Sequence, residues 1–270
     1  MVSWVGTRQY LDLSLNDTDM IELKNDNGIA TLTIAHGKAN ALDMELCEEL
    51  ARCLDQITES AARAIIVTGH GRIFSAGVDL VRLSAGGADY VRKFLPALHR
   101  LFDAAFFCPK PVVAAINGHA VAGGCVLACC ADRRIMARAN GRIGVTELLV
   151  GVPFPALAFE VMRFAVPARH LPELLFGGAT YEVDAALGRG LVDAIVPADE
   201  LMPSAMSAAE KLASLSPAAF AQTKAQLRAE ARERLTRTGA ATDKIATDIW
   251  AAEPTLAYVR DYVGRTLKKG

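Results

Sequence analysis

The chain has 270 residues, 52% of them apolar and 22% charged, enough for one large domain or a core with an appended subdomain. Its formal charge of −1, with Lys and Arg nearly balancing Asp and Glu, excludes the broad basic footprint of a nucleic-acid-binding protein. Six cysteines lie in apolar surroundings without paired metal-ligand spacing, and no apolar run reaches membrane-span length. A cytoplasmic protein with no metal, membrane or nucleic-acid partner is therefore expected.

Residues 1–19 carry no clear period and read as an N-terminal extension. Met20–Lys24 and Ile29–Ile34 alternate, with turn residues Asn25–Gly28 between them, which predicts a β-hairpin. Asp43 then caps a helix whose apolar stripe is Leu46, Cys47, Leu50, Cys53, Leu54 and Ile57. Ala64–Thr68 is a buried strand turning at Gly69–Arg72, and the order strand, helix, strand implies parallel pairing with a right-handed crossover. The small-residue segment Ile73–Leu80 closes on the carboxylate of Asp79. Ser84–Gly87 reads as a loop, and Tyr90–Phe107 as a helix despite the interior Pro96.

Pro111–Ile116 has the length and β-branching of a buried strand, and Cys125–Cys130 suits a packed helix. The stretch between them holds Gly118, Gly123 and Gly124. Such a turn either brings backbone N–H groups at a helix start close to a ligand, or lets a helix pack tightly on a strand. Arg133–Ala137 is a further strand, and Arg142–Gly151 a loop with one acidic residue, Glu147. Helices follow after Pro155, over His170–Phe176 and over Tyr181–Gly188, with a strand at Leu191–Val196. Beyond Pro197 the pattern is all-helical: 201–215, 217–235, and a last pair broken at Pro254. The chain thus divides into an extension (1–19), an α/β core (20–197) and a helical C-terminal region (198–270).

Asn40-Ala-Leu42, Phe74-Ser-Ala-Gly-Val-Asp79, Lys110–His119, Ala122-Gly-Gly-Cys125 and Gly190-Leu-Val192 together resemble the crotonase superfamily, the enoyl-CoA hydratase/isomerase family. None of these motifs is specific alone; in this order they are. The resemblance implies an α/β spiral of ββα turns with a helical C-terminal oligomerisation region, and a homotrimer or dimer of trimers. It also implies an acyl-CoA substrate, with no tightly bound cofactor beyond the coenzyme A of the thioester itself. By position, the N–H groups of Ala76 and Gly123 would form an oxyanion hole for the thioester carbonyl, where one donor is worth ~3–4 kcal/mol in the transition state. Ala76, Gly77, Val78 and Asp79 would line the CoA moiety, with Asn40 and Ala41 near the mouth. Lys38 is a candidate for the CoA phosphates, against the reading of an exposed, solvated lysine.

Hydrating members of the family resemble one another in two glutamates that manage a water. The second falls at Glu147; the first would sit at position 126, which is Val126. One carboxylate suffices to move a proton along a substrate, so Δ3,Δ2-enoyl-CoA isomerisation with Glu147 as proton shuttle is the expectation. The alternatives are another enolate reaction (weak hydratase, thioesterase or decarboxylase) or a non-catalytic acyl-CoA-binding subunit. His119, inside the key turn, reads as a structural, hydrogen-bonded histidine.

Overall fold

The computed structural model describes residues 20–266; the N-terminal extension at 1–19 and the last residues, 267–270, lie outside the described part. The chain begins with β1 (Ile21–Asp26) and β2 (Ile29–Ile34), joined by Asn27 and Gly28 at φ 52° and 83°. Two residues of positive φ make the hairpin turn whose twist matches that of the strands. Then come α1 (Met44–Glu59), β3 (Ala64–Gly69), β4 (Ile73–Ser75), α2 (Leu80–Phe106), β5 (Val112–Ile116), β6 (His119–Val121), α3 (Gly123–Cys129), β7 (Arg133–Arg138) and β8 (Ile143–Gly144). A 3-10 turn (Glu147–Val150) precedes α4 (Ala156–Ala165), α5 (Leu171–Gly177), α6 (Val183–Gly188) and β9 (Ala194–Pro197). The C-terminal part is α7 (Leu201–Ala213), α8 (Pro217–Leu227), α9 (Ala229–Arg234), a π turn (Leu235–Gly239), α10 (Ala240–Trp250) and α11 (Glu253–Thr266).

The larger sheet has six strands in the order β1-β2-β3-β5-β7-β9, parallel except for the first hairpin, and the smaller has three parallel strands, β4-β6-β8. Each turn of the chain runs from a large-sheet strand to a small-sheet strand to a helix: β3-β4-α2, β5-β6-α3, β7-β8-α4. This is the expected ββα spiral.

Both faces of the large sheet are covered, so its inner strands read as continuous apolar runs. Ile65, Val67, Val112, Ala114 and Met136 face the main core with α1, α2 and α3. The alternate residues Ala64, Ile66, Val113, Ala115 and Ile135 face α7, which presents Leu201, Ala205 and Ala209. Alanines one turn apart let the α7 backbone approach the sheet closely, so the first helix after residue 198 closes the core of the sheet rather than standing apart from it.

Three local expectations change. Ser84–Gly87 is helical, lying within α2, because Asp79 caps that helix and buried Leu83 anchors its first turn; the backbone breaks only at Gly87 (φ 62°, ψ −155°). Pro96 is tolerated because it falls on the exposed face, beside exposed Arg92, whose carbonyl loses its helical partner. The stretch expected as one helix over 217–235 divides at Arg228 (φ −99°, ψ 2°), and the final break falls at Ala251–Ala252, with Pro254 inside the first turn of α11.

The α8–α9 region is tied to the sheet through one carboxylate. Asp132 accepts hydrogen bonds from Val112 N (2.8 Å), Lys224 Nζ (2.6 Å) and Arg228 Nη2 (2.8 Å). Lys224 and Arg228 are buried, so removing Asp132 leaves two cations in a low-dielectric interior. Asp132→Ala is expected to cost about 3–5 kcal/mol of unfolding free energy in a denaturant titration, with a neutral change there weighing against this tie.

Candidate active site

The site is assembled where two neighbouring strands of the small sheet each run into a helix. β4 and β6 pair in parallel, Ile73 opposite His119 and Ser75 opposite Ala120, so the turns that follow them lie side by side. In the first turn, Ser75 Oγ donates to Asn40 O (2.7 Å) and accepts from Gly77 N (3.2 Å). Ala76 N donates to Ala39 O (3.0 Å), Leu42 N donates to Gly77 O (2.8 Å), and Asp79 N donates to Leu42 O (3.0 Å). Leu42 thus bridges the residues on either side of Val78, and the Val78 N–H points away from it. Among the hydrogen bonds of the described residues, Val78 is the member of this turn whose N–H has no acceptor.

In the second turn the chain passes from strand to helix through Ala122 alone, at φ 49° and ψ −124°, a strained conformation for a residue with a side chain. Ala122 N donates to Gly144 O (2.8 Å), and its carbonyl accepts from Cys125 N (2.8 Å) and Val126 N (3.1 Å). Gly123, the first residue of α3, has no acceptor for its N–H among the described residues, as expected at a helix start. A Cβ at Gly123 would sit 3.8 Å from Val78 N, so the two turns that carry the unpaired donors lie against each other.

Glycine makes this approach possible. A Cβ at Gly77, which has φ +83°, would lie 2.5 Å from Val121 O and 3.1 Å from Gly123 N. At Gly124 it would lie 2.3 Å from Ser75 O. Gly124 is therefore required by the packing of α3 on β4, the tight-packing alternative.

These geometries correct one expected role. The N–H of Ala76 is committed to Ala39 O and cannot serve as the free donor; the N–H without an acceptor in this turn is that of Val78, two residues on. Ala76 and Val78 still line a cavity of about 580 Å³, together with Lys38, Ala41, Asp79 and Glu147. Gly77 and Gly123 are not among the residues that line it. Asn40 does not line it: buried at φ 48°, it donates from Nδ2 to Ile73 O (2.8 Å) and accepts His36 N on Oδ1 (3.0 Å), bracing the loop from within. Lys38 is exposed at the mouth. Asp79 accepts Arg82 N (2.9 Å) as the cap of α2. His119 lines the cavity and takes the Arg142 N–H on Nδ1 (3.3 Å), in keeping with a structural histidine.

Glu147 opens the 3-10 turn at 8% exposure, and its Oε2 is buried with no hydrogen-bond partner. Burial pushes its pKa up to about 7, offset in part by backbone N–H groups of Glu147 and Thr146. Val126 packs into the core one turn into α3 and is not among the residues lining the cavity.

Several wall residues were not anticipated as site residues. Trp250 and Tyr262, from α10 and α11, close the cavity beside Val150 and Val152, and Trp250 Nε1 donates to Pro153 O (2.8 Å). Tyr262 lies on an apolar helical stripe, which signals packing but not against what. Leu80 and Val81 at the start of α2 also line the cavity, whereas Phe154 lines a separate groove. His36 sits on the rim with Nε2 2.8 Å from Asp43 Oδ2. Among the described residues no cluster of His, Cys, Asp and Glu could hold a metal ion, and no helix is long and apolar enough to cross a membrane.

The family model described as enoyl-CoA hydratase/isomerase matches residues 24–259. A protein of Bacillus subtilis named "Probable enoyl-CoA hydratase" is 36% identical over 205 residues, covering 74% of this chain and 79% of the relative. The mitochondrial Delta(3,5)-Delta(2,4)-dienoyl-CoA isomerase of Pongo abelii is 31% identical over 204 residues, covering 70% of this chain and 62% of that protein. The crystal structure of human mitochondrial delta3-delta2-enoyl-CoA isomerase superposes with a TM-score of 0.88 at 24% identity, over 93% of this chain and 99% of that one, a likeness of fold. The curated relatives are thus named both as hydratases and as isomerases. A ββα spiral, the paired strand-to-helix turns with their two free N–H groups, and a family match across most of the chain lead to one conclusion: the chain belongs to the enoyl-CoA hydratase/isomerase family, the crotonase superfamily.

Proposed function

We propose that the protein is an enoyl-CoA isomerase that moves a double bond from C3 to C2 of an acyl-CoA thioester. The observation that carries this reading is the carboxyl of Glu147, buried in the cavity wall with Oε2 unpartnered and its pKa raised to about 7, while position 126, a glutamate in hydrating members of the family, is Val126 packed in the core. Asp79, the other acid on the cavity wall, is engaged as the cap of α2.

In this reading the thioester carbonyl accepts the N–H groups of Val78 and Gly123. Glu147 takes a proton from C2, and the C–H pair forms a C1–C2 double bond as the carbonyl pair moves onto oxygen, giving a dienolate with C3–C4 still double. When the carbonyl re-forms, the C1–C2 pair shifts to C2–C3, and the C3–C4 pair takes the proton back at C4 from the same carboxyl. The two fixed donors stabilise the oxygen as its charge develops, and the dry surroundings of Glu147 make it a strong enough base near neutral pH. Lys38 at the mouth remains the candidate contact for the CoA phosphates. The proposed homotrimer or dimer of trimers has support in an adjoining apolar surface at Leu148, Leu149 and Phe176, which are 41%, 46% and 78% exposed.

The test is a paired assay on 3-hexenoyl-CoA and crotonyl-CoA. Conjugation of the first should exceed hydration of the second, and Glu147→Gln should lower conjugation about 10²–10⁴-fold. Efficient hydration by the unaltered chain would favour the hydratase reading, and activity on neither, with CoA thioesters still bound, the binding-subunit reading. Val126→Glu should not create an efficient hydratase, because the side chain at 126 points into the core; a hydratase gain would place it in the cavity instead.

The pH dependence follows from the ionised form being the base: kcat/KM for conjugation should fall about tenfold per pH unit below about 7. Stability responds in the opposite direction. Between the ordinary value of 4.5 and about 7 the native state holds a proton that the unfolded chain has lost, so stability falls as pH rises through that window. At about 1.4 kcal/mol per pH unit the loss is roughly 3 kcal/mol. Glu147→Gln should therefore be more stable than the parent at pH 8 and equal to it near pH 4, read from parallel denaturant titrations; an equal gap at both values would show that Glu147 is not held neutral.

A further inference from the structure

The cavity that holds Glu147 runs back from the strand-to-helix turns along one face of β6, since His119 and Val121, two residues apart on that strand, both line it. Past Glu147 its wall is Val150, Val152, Trp250 and Tyr262, whereas toward the strand starts it is His36, Ile73 and His119. Ile73 pairs with His119 across the two strands. On its other side Ile73 O accepts Asn40 Nδ2 (2.8 Å), and Asn40 is bound twice to the backbone of His36, through Oδ1 to its N–H and through its own N–H to the His36 carbonyl, both at 3.0 Å. The two histidines therefore flank Ile73 on the cavity wall.

Each is held by one ring nitrogen. His36 Nε2 lies 2.8 Å from Asp43 Oδ2, on a carboxylate that also accepts Leu46 N (2.8 Å) and Arg82 Nη1 (2.9 Å), so in the neutral ring Nε2 carries the proton and Nδ1 is an acceptor. His119 is the reverse: Nδ1 accepts Arg142 N (3.3 Å), which puts the proton on Nε2 and makes it a donor. Neither free nitrogen has a partner among the described residues, and neither is among the buried unpartnered atoms, so both keep accessible surface on residues that line the cavity.

An acceptor and a donor on either side of an apolar residue match a secondary amide, whose N–H and C=O leave a planar unit in opposite directions. An alkenoyl chain has no such group; the pantetheine arm of its thioester has two. With the thioester carbonyl where the turns of Val78 and Gly123 meet, His119 stands three residues back from Ala122, roughly 10 Å at about 3.3 Å per strand residue. The second amide nitrogen of pantetheine is eight bonds from the thioester carbon, also roughly 10 Å at about 1.2 Å per bond of extended chain.

We propose that His36 and His119 recognise the second amide of the pantetheine arm, between β-alanine and pantoate, with His36 Nδ1 accepting its N–H and His119 Nε2 donating to its carbonyl. The assignment rests on the acyl-thioester reading of this cavity and not on the isomerase chemistry.

Saturated hexanoyl thioesters, which have no double bond to move, test it by binding alone. One carrier is N-(N-acetyl-β-alanyl)cysteamine, which has both amides; the other is N-hexanoylcysteamine, in which two methylenes replace the second. Calorimetric titration of the full chain should give a Kd at least tenfold lower for the diamide. His36→Leu and His119→Leu should each raise the diamide Kd about five- to tenfold and leave the Kd of the isostere within about twofold. Should His36→Leu fail to fold for want of the Asp43 contact, His119→Leu decides alone. Equal affinity of the parent for both carriers, or variant losses of the same size on both, would overturn the proposal and leave the histidines a structural role. Hexanoyl-CoA titrated alongside keeps the two readings apart: no binding of it overturns the thioester reading and this assignment together, whereas its binding without discrimination between the carriers overturns this assignment alone.

Discussion

The approach of two backbone turns, one leaving β4 and the other leaving β6, is the constraint on which the site depends. Parallel pairing of these short strands puts both strand ends on one edge, and glycine at 77 and 124 removes the side chains that would hold the turns apart. What results is a pair of N–H groups, at Val78 and Gly123, that the fold leaves without acceptors where the two turns meet. In the proposed reaction such donors are already in place before substrate arrives, so no reorganisation accompanies the development of charge. The strained backbone of Ala122 has the same origin, since a strand converts to a helix there in one residue.

Burial of Glu147 is the second element, and it works against stability. A carboxyl with one oxygen unpartnered in a dry wall is held closer to neutral than any exposed glutamate. That wall is not local. Val150 and Val152 come from the same loop, but Trp250 and Tyr262 come from helices about a hundred residues later in the chain. Those helices are held by specific bonds: Trp250 Nε1 to Pro153 O (2.8 Å), and Ala156 N to Asp243 Oδ1 (2.7 Å), which ties the start of α4 to α10. The C-terminal part therefore sets the dielectric around Glu147 as well as covering the core.

The polar interior elsewhere is organised around carboxylates that serve several partners at once. Asp132 joins strand β5 to Lys224 and Arg228, and Asp43 caps α1 while holding His36 (2.8 Å) and Arg82 (2.9 Å) at the cavity rim. Each fixes an element far along the chain by charge-assisted bonds whose geometry is specific. At Asp132 the balance is incomplete, since Arg228 keeps one buried nitrogen, Nη1, without an acceptor.

Local pattern determined a large part of this. The hairpin followed from alternation around Asn27-Gly28, α1 from a capping aspartate and one apolar stripe, and β3 and β5 from short β-branched runs. The ordered motifs carried the family, and they singled out Glu147 and the Val126 that accompanies it. What the sequence could not decide was which N–H groups remain free, because their acceptors come from distant residues: Ala39 O takes Ala76 N, and Leu42 flanks Val78. The same holds for Asn40, which turns inward to the carbonyl of Ile73, and for Tyr262, whose stripe fixes a helical face but not the cavity it covers. Periodicity records which side of an element is apolar; only the folded chain sets what that side meets and which polar groups it leaves unanswered.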